Sequence, residues 1–181
     1  MLTSATRARL RLRLRAGPSS SYISRAMTCA LLARRICRRR AGQASRPYTL
    51  DVGSHNNVGD AGAAALASSN WRCLTSLGIN ENALSASGGA SLAAGPWADL
   101  QELWLTTNDV GAAGVAALAR ARWPNLRALH ISNTNLGAAG VSLAVAAWRG
   151  LQRLRLAFNG LSPTELAALA PMHWPGLKLS L

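Results

Sequence analysis

Cysteines, acidic residues near the N-terminus and long apolar runs are all scarce in this sequence of 181 residues. The three cysteines, Cys29, Cys37 and Cys73, are too few and too scattered for a disulfide framework or a four-ligand zinc site. Reduced thiols of this kind favour an intracellular, cytoplasmic protein. No apolar run approaches the roughly 18 residues that a helix needs to cross a bilayer, so we expect no membrane span.

Motifs that carry catalysis or bind cofactors are also missing from the sequence. The segments GAAGV at 111–115 and 137–141 lack the GxGxxG spacing and the following lysine of phosphate-binding loops. The histidines His55, His130 and His173 have no partner at metal-ligand spacing, and no serine has a supporting histidine and acid that the sequence places beside it. We therefore expect no enzymatic activity, no cofactor and no metal.

The positive charge of the chain lies almost entirely in its first 47 residues. Residues 1–47 contain twelve arginines and no Asp or Glu, whereas 48–181 contain eight basic residues and all seven acidic ones. An Arg-rich, Ser-containing, acid-free stretch is typical of transit peptides for mitochondrial or chloroplast import. The alternatives are a disordered extension with no targeting role and a spurious extension of the reading frame. A third interpretation is that the disordered tail binds nucleic acid or another anionic surface through its arginines.

Residues 48–181 are built from a repeated unit of 25 or 26 residues that reads LxxLxLxxNxL. The clearest copy contains Leu100, Leu103, Leu105, Asn108 and Val110. The copies open at Leu74, Leu100, Leu126, Leu151 and Leu177. This register predicts one domain, 48–181, with a degenerate unit 48–73, full units 74–99, 100–125, 126–150 and 151–176, and a truncated unit 177–181.

This pattern resembles the leucine-rich repeat family, and its VGAAGVAALA half is most similar to the ribonuclease-inhibitor-like class. The resemblance implies an α/β solenoid, a curved horseshoe fragment in which a parallel concave sheet is backed by outer helices. It also implies a non-catalytic protein that binds a protein partner. An inhibitor, a GTPase-activating regulator and the sensor array of a receptor all fit the resemblance. Because the units are slightly short for that class, we expect short helices.

Several positions of the repeat have physical explanations in such a fold. The Asn that recurs in the motif can satisfy backbone groups where the chain leaves the strand. Thr134, which takes its place in one unit, can do so only in part. Glycine inside a helix costs about 1 kcal/mol relative to Ala, so its recurrence predicts close approach of a neighbouring backbone. The first copy has one extra residue around His55. In the unit 151–176, Ser162 followed three residues later by Glu165 predicts the start of a helix. The recurring glycines are Gly62, Gly88, Gly114 and Gly140.

Five of the six tryptophans recur three residues before the leucine that opens the next unit. Rings at one repeat position would stack in successive coils, so we interpret them as a structural ladder in the core. An aromatic binding stripe is the alternative. The five ladder positions are Trp71, Trp97, Trp123, Trp148 and Trp174.

The positions between the inward-facing leucines differ from copy to copy and are predicted to line the concave face. Trp104 is the only tryptophan outside the ladder register, and an exposed Trp near Arg and His is typical of binding hot spots. Acidic residues gather toward the first strands and basic residues toward the last, which would suit a partner with complementary charges. The predicted partner-binding residues are Glu81, Gln101, Glu102, Trp104, Thr106, Arg127, His130, Asn133, Arg153, Arg155 and Phe158.

The last copy, LKLSL, has no polar unit after it to cap the solenoid, although stacked repeats need caps for solubility. The sequence therefore favours a fragment of a longer repeat array, pairing through an open C-terminal edge, or a domain of marginal stability. It predicts neither the oligomeric state nor the identity of the partner.

Overall fold

The computed structural model describes residues 10–13, 48–69, 71, 73–146, 148–169, 174 and 176–181. These residues form one parallel sheet whose strands follow one another in chain order. The strands are β1 Leu10–Arg13, β2 Tyr48–Asp51, β3 Leu74–Gly78, β4 Glu102–Trp104, β5 Ala128–His130, β6 Arg153–Arg155 and β7 Lys178–Ser180.

Helices connect the strands from β2 onward, because parallel neighbours require a crossover between them. Each helix packs against the next, which makes a second layer behind the sheet. The fold is the predicted α/β repeat solenoid, and its helices are short, with seven to nine residues each. They are α1 Gly59–Ala67, α2 Ala86–Ala93, α3 Gly111–Ala119, a 3-10 helix Gly137–Val145 and α4 Pro163–Leu169.

The helix of the fourth unit differs from the predicted α-helix. Gly137–Val145 is wound as a 3-10 helix over nine residues, whereas α3 in the preceding unit is an α-helix of the same length. This unit, 126–150, is the one that is a residue shorter than its neighbours. A 3-10 helix rises about 2.0 Å per residue against about 1.5 Å for an α-helix. The same nine residues therefore extend further along the helix axis than in α3, and one residue fewer follows the helix before the next unit opens.

The core is a stack of the repeat leucines. Leu77, Leu103, Leu129 and Leu154 lie in register across β3 to β6, and each is 0% exposed. Alternate residues of a strand point to opposite faces, so the residues directly before and after each leucine on its strand point away from the core. The repeat pattern thus determines which side chains remain for binding.

The degenerate first unit joins the sheet with the extra residue that its sequence predicts. Leu50 pairs with Leu77, 27 positions later, whereas the amide of Asn56 bonds Oδ1 of Asn82, 26 positions later. The additional residue lies between them. This prediction is confirmed.

The repeat asparagines join adjacent coils below the strands. The Nδ2 group of Asn108 donates to the carbonyl oxygens of Ile79 and Leu105, and its Oδ1 accepts from the amides of Asn82 and Leu84. Asn159 repeats the arrangement two units later. At the equivalent position of the unit between them, the hydroxyl of Thr134 donates to the carbonyl oxygen of Ile131 and to Oδ1 of Asn159, and neither bond reaches the preceding coil. The prediction that Thr134 substitutes in part is confirmed.

The five in-register tryptophans lie in the core with 0–4% of each side chain exposed. The rings of Trp97, Trp123 and Trp148 stack in sequence, with centroids 6.1 and 6.2 Å apart and planes within 14°. Trp71 contacts Tyr48 in a tilted arrangement, with centroids 5.9 Å apart. Trp174 is buried at the other end of the row.

The recurring helix glycines were predicted to permit close backbone approach, and this holds at one of the four. A Cβ at Gly114 would lie 3.1 Å from Cα of Ala86 on the neighbouring helix. At Gly62, Gly88 and Gly140 all the nearest atoms belong to side chains, whereas at Gly114 backbone atoms of Ala86 come directly after a methyl group of Val110. The prediction is therefore wrong at those three positions, because side chains of Val58, Asp60 and Leu161 fill the space. The predicted helix start is present, since Ser162 and Glu165 cap each other's backbone amides.

Only four residues of the basic tail are described. Leu10–Arg13 form β1 and pair in parallel with β2, so the prediction of a disordered tail does not hold there. The transit-peptide and nucleic-acid interpretations concern residues that otherwise lie outside the described ranges. None of the helices in the described part is long and apolar enough to span a bilayer.

Candidate functional site

Two rows of side chains cross the face of the sheet that the leucines leave free. Their order follows from the strand register, which brings residues of four or five units side by side. The first row contains Ser76, Glu102, Ala128, Arg153 and Lys178. The second contains Gly78, Trp104, His130, Arg155 and Ser180.

Trp104 and His130 form the centre of the second row. Their ring centroids are 3.6 Å apart and their planes differ by 6°. Trp104 is half-buried, whereas His130 is only 3% exposed. The predicted contact residue His130 is thus almost fully buried, with the indole of Trp104 packed on its imidazole. It lies beside Trp104 on the neighbouring strand and contacts one face of the indole.

His130 is uncharged at neutral pH. Burial, together with the positive charges of Arg155 and Arg153, lowers the pKa of its imidazole from 6.5 to about 4. The Nδ1 atom is buried without a hydrogen-bond partner. The stack with Trp104 is therefore one between two neutral rings.

Charges of opposite sign flank this aromatic pair. Arg153 reaches Glu102 across the small side chain of Ala128, with 3.7 Å between Nη2 and Oε1. Within the described ranges no carboxylate forms an ion pair with Arg155, whose side chain is exposed. Lys178 continues the basic row on β7. The last strands consequently present unneutralised positive charge.

A second feature lies where the strands end, in a row of residues with left-handed backbone. One residue of each unit has a φ of 52–58° there. This conformation costs a non-glycine residue about 1–2 kcal/mol. Nε2 of His55 lies 2.7 Å from Oε2 of Glu81 along the row, and Asn133 donates weakly to Thr107, at 3.5 Å. The row consists of His55, Glu81, Thr107, Asn133 and Phe158.

Phe158 ends this row and is 88% exposed. It borders a cleft of about 650 Å³, which we call the C-terminal cleft. Arg155 is the single charged residue in the wall of this cleft. The lining residues are Thr106, Thr107, Ser132, Asn133, Arg155, Ala157, Phe158 and Ser180.

The predicted partner-binding residues thus fall into three groups. Glu102, Trp104, Arg153 and Arg155 lie together on the sheet face, with buried His130 between Trp104 and Arg155. The residues of the strand-end group are Glu81, Thr106, Asn133 and Phe158. Gln101 and Arg127 are exposed where β4 and β5 begin, and their backbones bond to each other.

Lys178 was not among the predicted residues, although it extends the basic row. The last strand lacks one residue relative to the repeat, since Leu179 pairs with Leu154 only 25 positions earlier. A register that opens the last unit at Leu177 therefore places this strand one residue too late. Aligning Leu179 with Leu154 would have located Lys178 beside Arg153.

No group of three or more His, Cys, Asp or Glu side chains is arranged to hold a metal ion in the described part of the chain.

Two segments, residues 49–67 and 124–143, match the Leucine Rich repeat family model. The first spans β2 and α1, and the second spans β5 with most of the 3-10 helix. The chain therefore contains leucine-rich repeats, in the degenerate first unit as well as in a full one. No curated protein matches the sequence.

Proposed function

We propose that this protein is a non-catalytic protein–protein interaction module that binds its partner through the concave face of the sheet. The observation that carries the proposal is the pairing of half-exposed Trp104 with buried His130 at the centre of that face. Leucine-rich repeats commonly mediate protein binding, and repeat solenoids use their extended concave surfaces for it.

Trp104 is suited to anchor a partner because its ring is already held in place. Association costs less when a side chain is ordered before binding. The neutral imidazole of His130 supports one face of the indole at 3.6 Å and leaves the rest for contact. Trp and Arg are also the residues most enriched at energetic centres of interfaces.

The charges on the face favour a partner that is acidic opposite the last strands. Glu102 is partly neutralised by Arg153, whereas Arg155 and Lys178 add positive charge beyond it. Asp51 and Glu81 lie toward the first strands. Such an arrangement orients a partner and raises its association rate more than it raises affinity.

The repeat architecture further supports assignment to the ribonuclease-inhibitor-like class. A helix follows each of the strands β2 to β6, which is the strand–helix pairing of that class. An inhibitor, a regulator and a sensor array remain the candidate roles, since each requires only a binding face.

Charge reversal tests the proposal directly. Affinity capture with the full chain is compared with capture by Arg153→Glu/Arg155→Glu. The matched control is Arg120→Glu/Arg122→Glu, which changes two exposed arginines at the end of α3. Partners that bind the concave face are lost with the first variant and kept with the second. Equal capture by both variants would contradict the proposal.

A second candidate function is binding of nucleic acid or an anionic surface by the tail. Its support is the twelve arginines without an acidic residue in 1–47. Contacts to phosphates release counterions, so such binding weakens steeply with salt. Replacing the tail arginines with glutamine abolishes it, whereas capture through the concave face persists.

A further inference from the structure

Phe158 is a side chain that the fold does not explain. Its ring is 88% exposed, so it contributes little to the core. Its backbone φ of 58° is unfavourable for a bulky residue, whereas the preceding unit has Asn133 at the same place. Asn adopts this conformation more readily than Phe. The left-handed backbone itself belongs to the repeat, since each unit has it at this position, and what distinguishes Phe158 is the exposed aromatic ring placed there.

The other members of the strand-end row are engaged with one another. His55 pairs with Glu81, and Asn133 contacts Thr107. Phe158 instead borders the C-terminal cleft. Its apolar ring is therefore available to a molecule in that cleft, which removes exposed aromatic surface from water.

Hydrogen-bond donors surround the rest of the cleft. Arg155 supplies a guanidinium, Asn133 an amide, and Thr106, Thr107, Ser132 and Ser180 supply hydroxyl groups. No acidic side chain is among the residues that line it. A guanidinium binds a carboxylate through two parallel hydrogen bonds. The lining thus has the charge and the donors for a carboxylate beside an apolar contact.

We infer that the C-terminal cleft receives an acidic residue of a partner polypeptide together with an adjacent apolar or aromatic residue. The carboxylate binds Arg155 and the neighbouring hydroxyl groups, and the apolar side chain packs on Phe158. The volume of about 650 Å³ accommodates such a segment, since ligand pockets commonly have about 300–1,000 Å³. This inference rests on the proposed function as a protein-binding module.

The probe is a displayed library of random short peptides, selected on the immobilised full chain. Enriched sequences contain Asp or Glu next to an aliphatic or aromatic residue. Fluorescence anisotropy of the labelled consensus peptide then shows a loss of affinity of about tenfold for Arg155→Gln and for Phe158→Asn. Arg122→Gln, an equal change of charge at an exposed site outside the cleft, leaves the affinity unchanged.

Three results would overturn the inference. The first is an enriched consensus without an acidic residue, or no enrichment above that on the Phe158→Asn chain. The second is affinity that neither cleft variant alters. The third is a single-stranded oligonucleotide that binds through Arg155 and Phe158 where acidic peptides do not.

Failure here is distinct from failure of the proposed function. A partner that is lost with Trp104→Ala but unaffected by Phe158→Asn overturns only the cleft assignment. A partner that no concave-face or cleft variant affects overturns both.

Discussion

The indole of Trp104 lies parallel to the imidazole of His130, with 3.6 Å between the ring centroids. The two residues come from adjacent units and face the same side of the sheet. The ring of His130 is buried, whereas that of Trp104 is half-buried and still reaches solvent. The register of the repeat thus places buried His130 where its ring packs against Trp104.

Replacing His130 with Phe should make folding stability less dependent on pH. The pKa of His130 is lowered to about 4 in the folded state against a usual 6.5, so the unfolded chain takes up the proton first as pH falls. Stability is therefore lost progressively between these two values. His130→Phe keeps a ring under Trp104 but cannot bind a proton.

Urea unfolding of both chains at neutral pH and at about pH 5 measures this effect. The wild type should lose more stability on acidification than His130→Phe. Equal losses in the two chains would show that the imidazole titrates normally in the fold.

Trp123→Ala should reduce the free energy of unfolding by about 3–5 kcal/mol. Trp123 is 1% exposed and stacks on Trp97 and Trp148 at once, so its removal leaves a cavity between two rings. Trp104→Ala deletes the same side chain from a half-buried site and is the control. Chemical denaturation should give a much smaller loss for the control. A small loss for Trp123→Ala would contradict its structural role.

Thr134→Asn should stabilise the protein by about 1 kcal/mol. The asparagines on either side, Asn108 and Asn159, each bond the preceding coil through both side-chain groups. An Asn at 134 can donate to the carbonyl of Leu105 in the same way. Thermal unfolding measures the gain. Asn108→Ala is the opposite change and should lower the melting temperature, because it leaves several buried backbone groups unpaired.

Phe158→Asn should also stabilise the isolated protein, by about 1 kcal/mol. The change relieves a left-handed backbone at φ 58° and gives up little packing, since the ring is 88% exposed. Asn133→Phe, the reverse change in the preceding unit, should be destabilising. Unfolding of the two variants in urea checks both signs. A loss of stability in Phe158→Asn would mean that the ring supports the fold.

The period of the repeat made much of this structure predictable. The repeat positions of Leu103 and Asn108 have similar environments in successive units, so the roles of these two residues follow from spacing alone. The burial of His130 was not predictable, because it depends on which residue the neighbouring unit places beside it. Similarly, the position of Lys178 follows from a single missing residue that shifts the register of the last strand. The row of left-handed residues was not predictable at Phe158, because Phe rarely adopts a positive φ.

Site-specific photocrosslinking measures the central claim, partner binding at the concave face, most directly. A photoreactive amino acid replaces exposed Gln101, where β4 begins, or exposed Ala113 on the outer helix α3. Binding at the concave face gives a covalent adduct with a partner protein from position 101 and none from position 113. Adducts from position 113 alone would place the interface on the helices and contradict it.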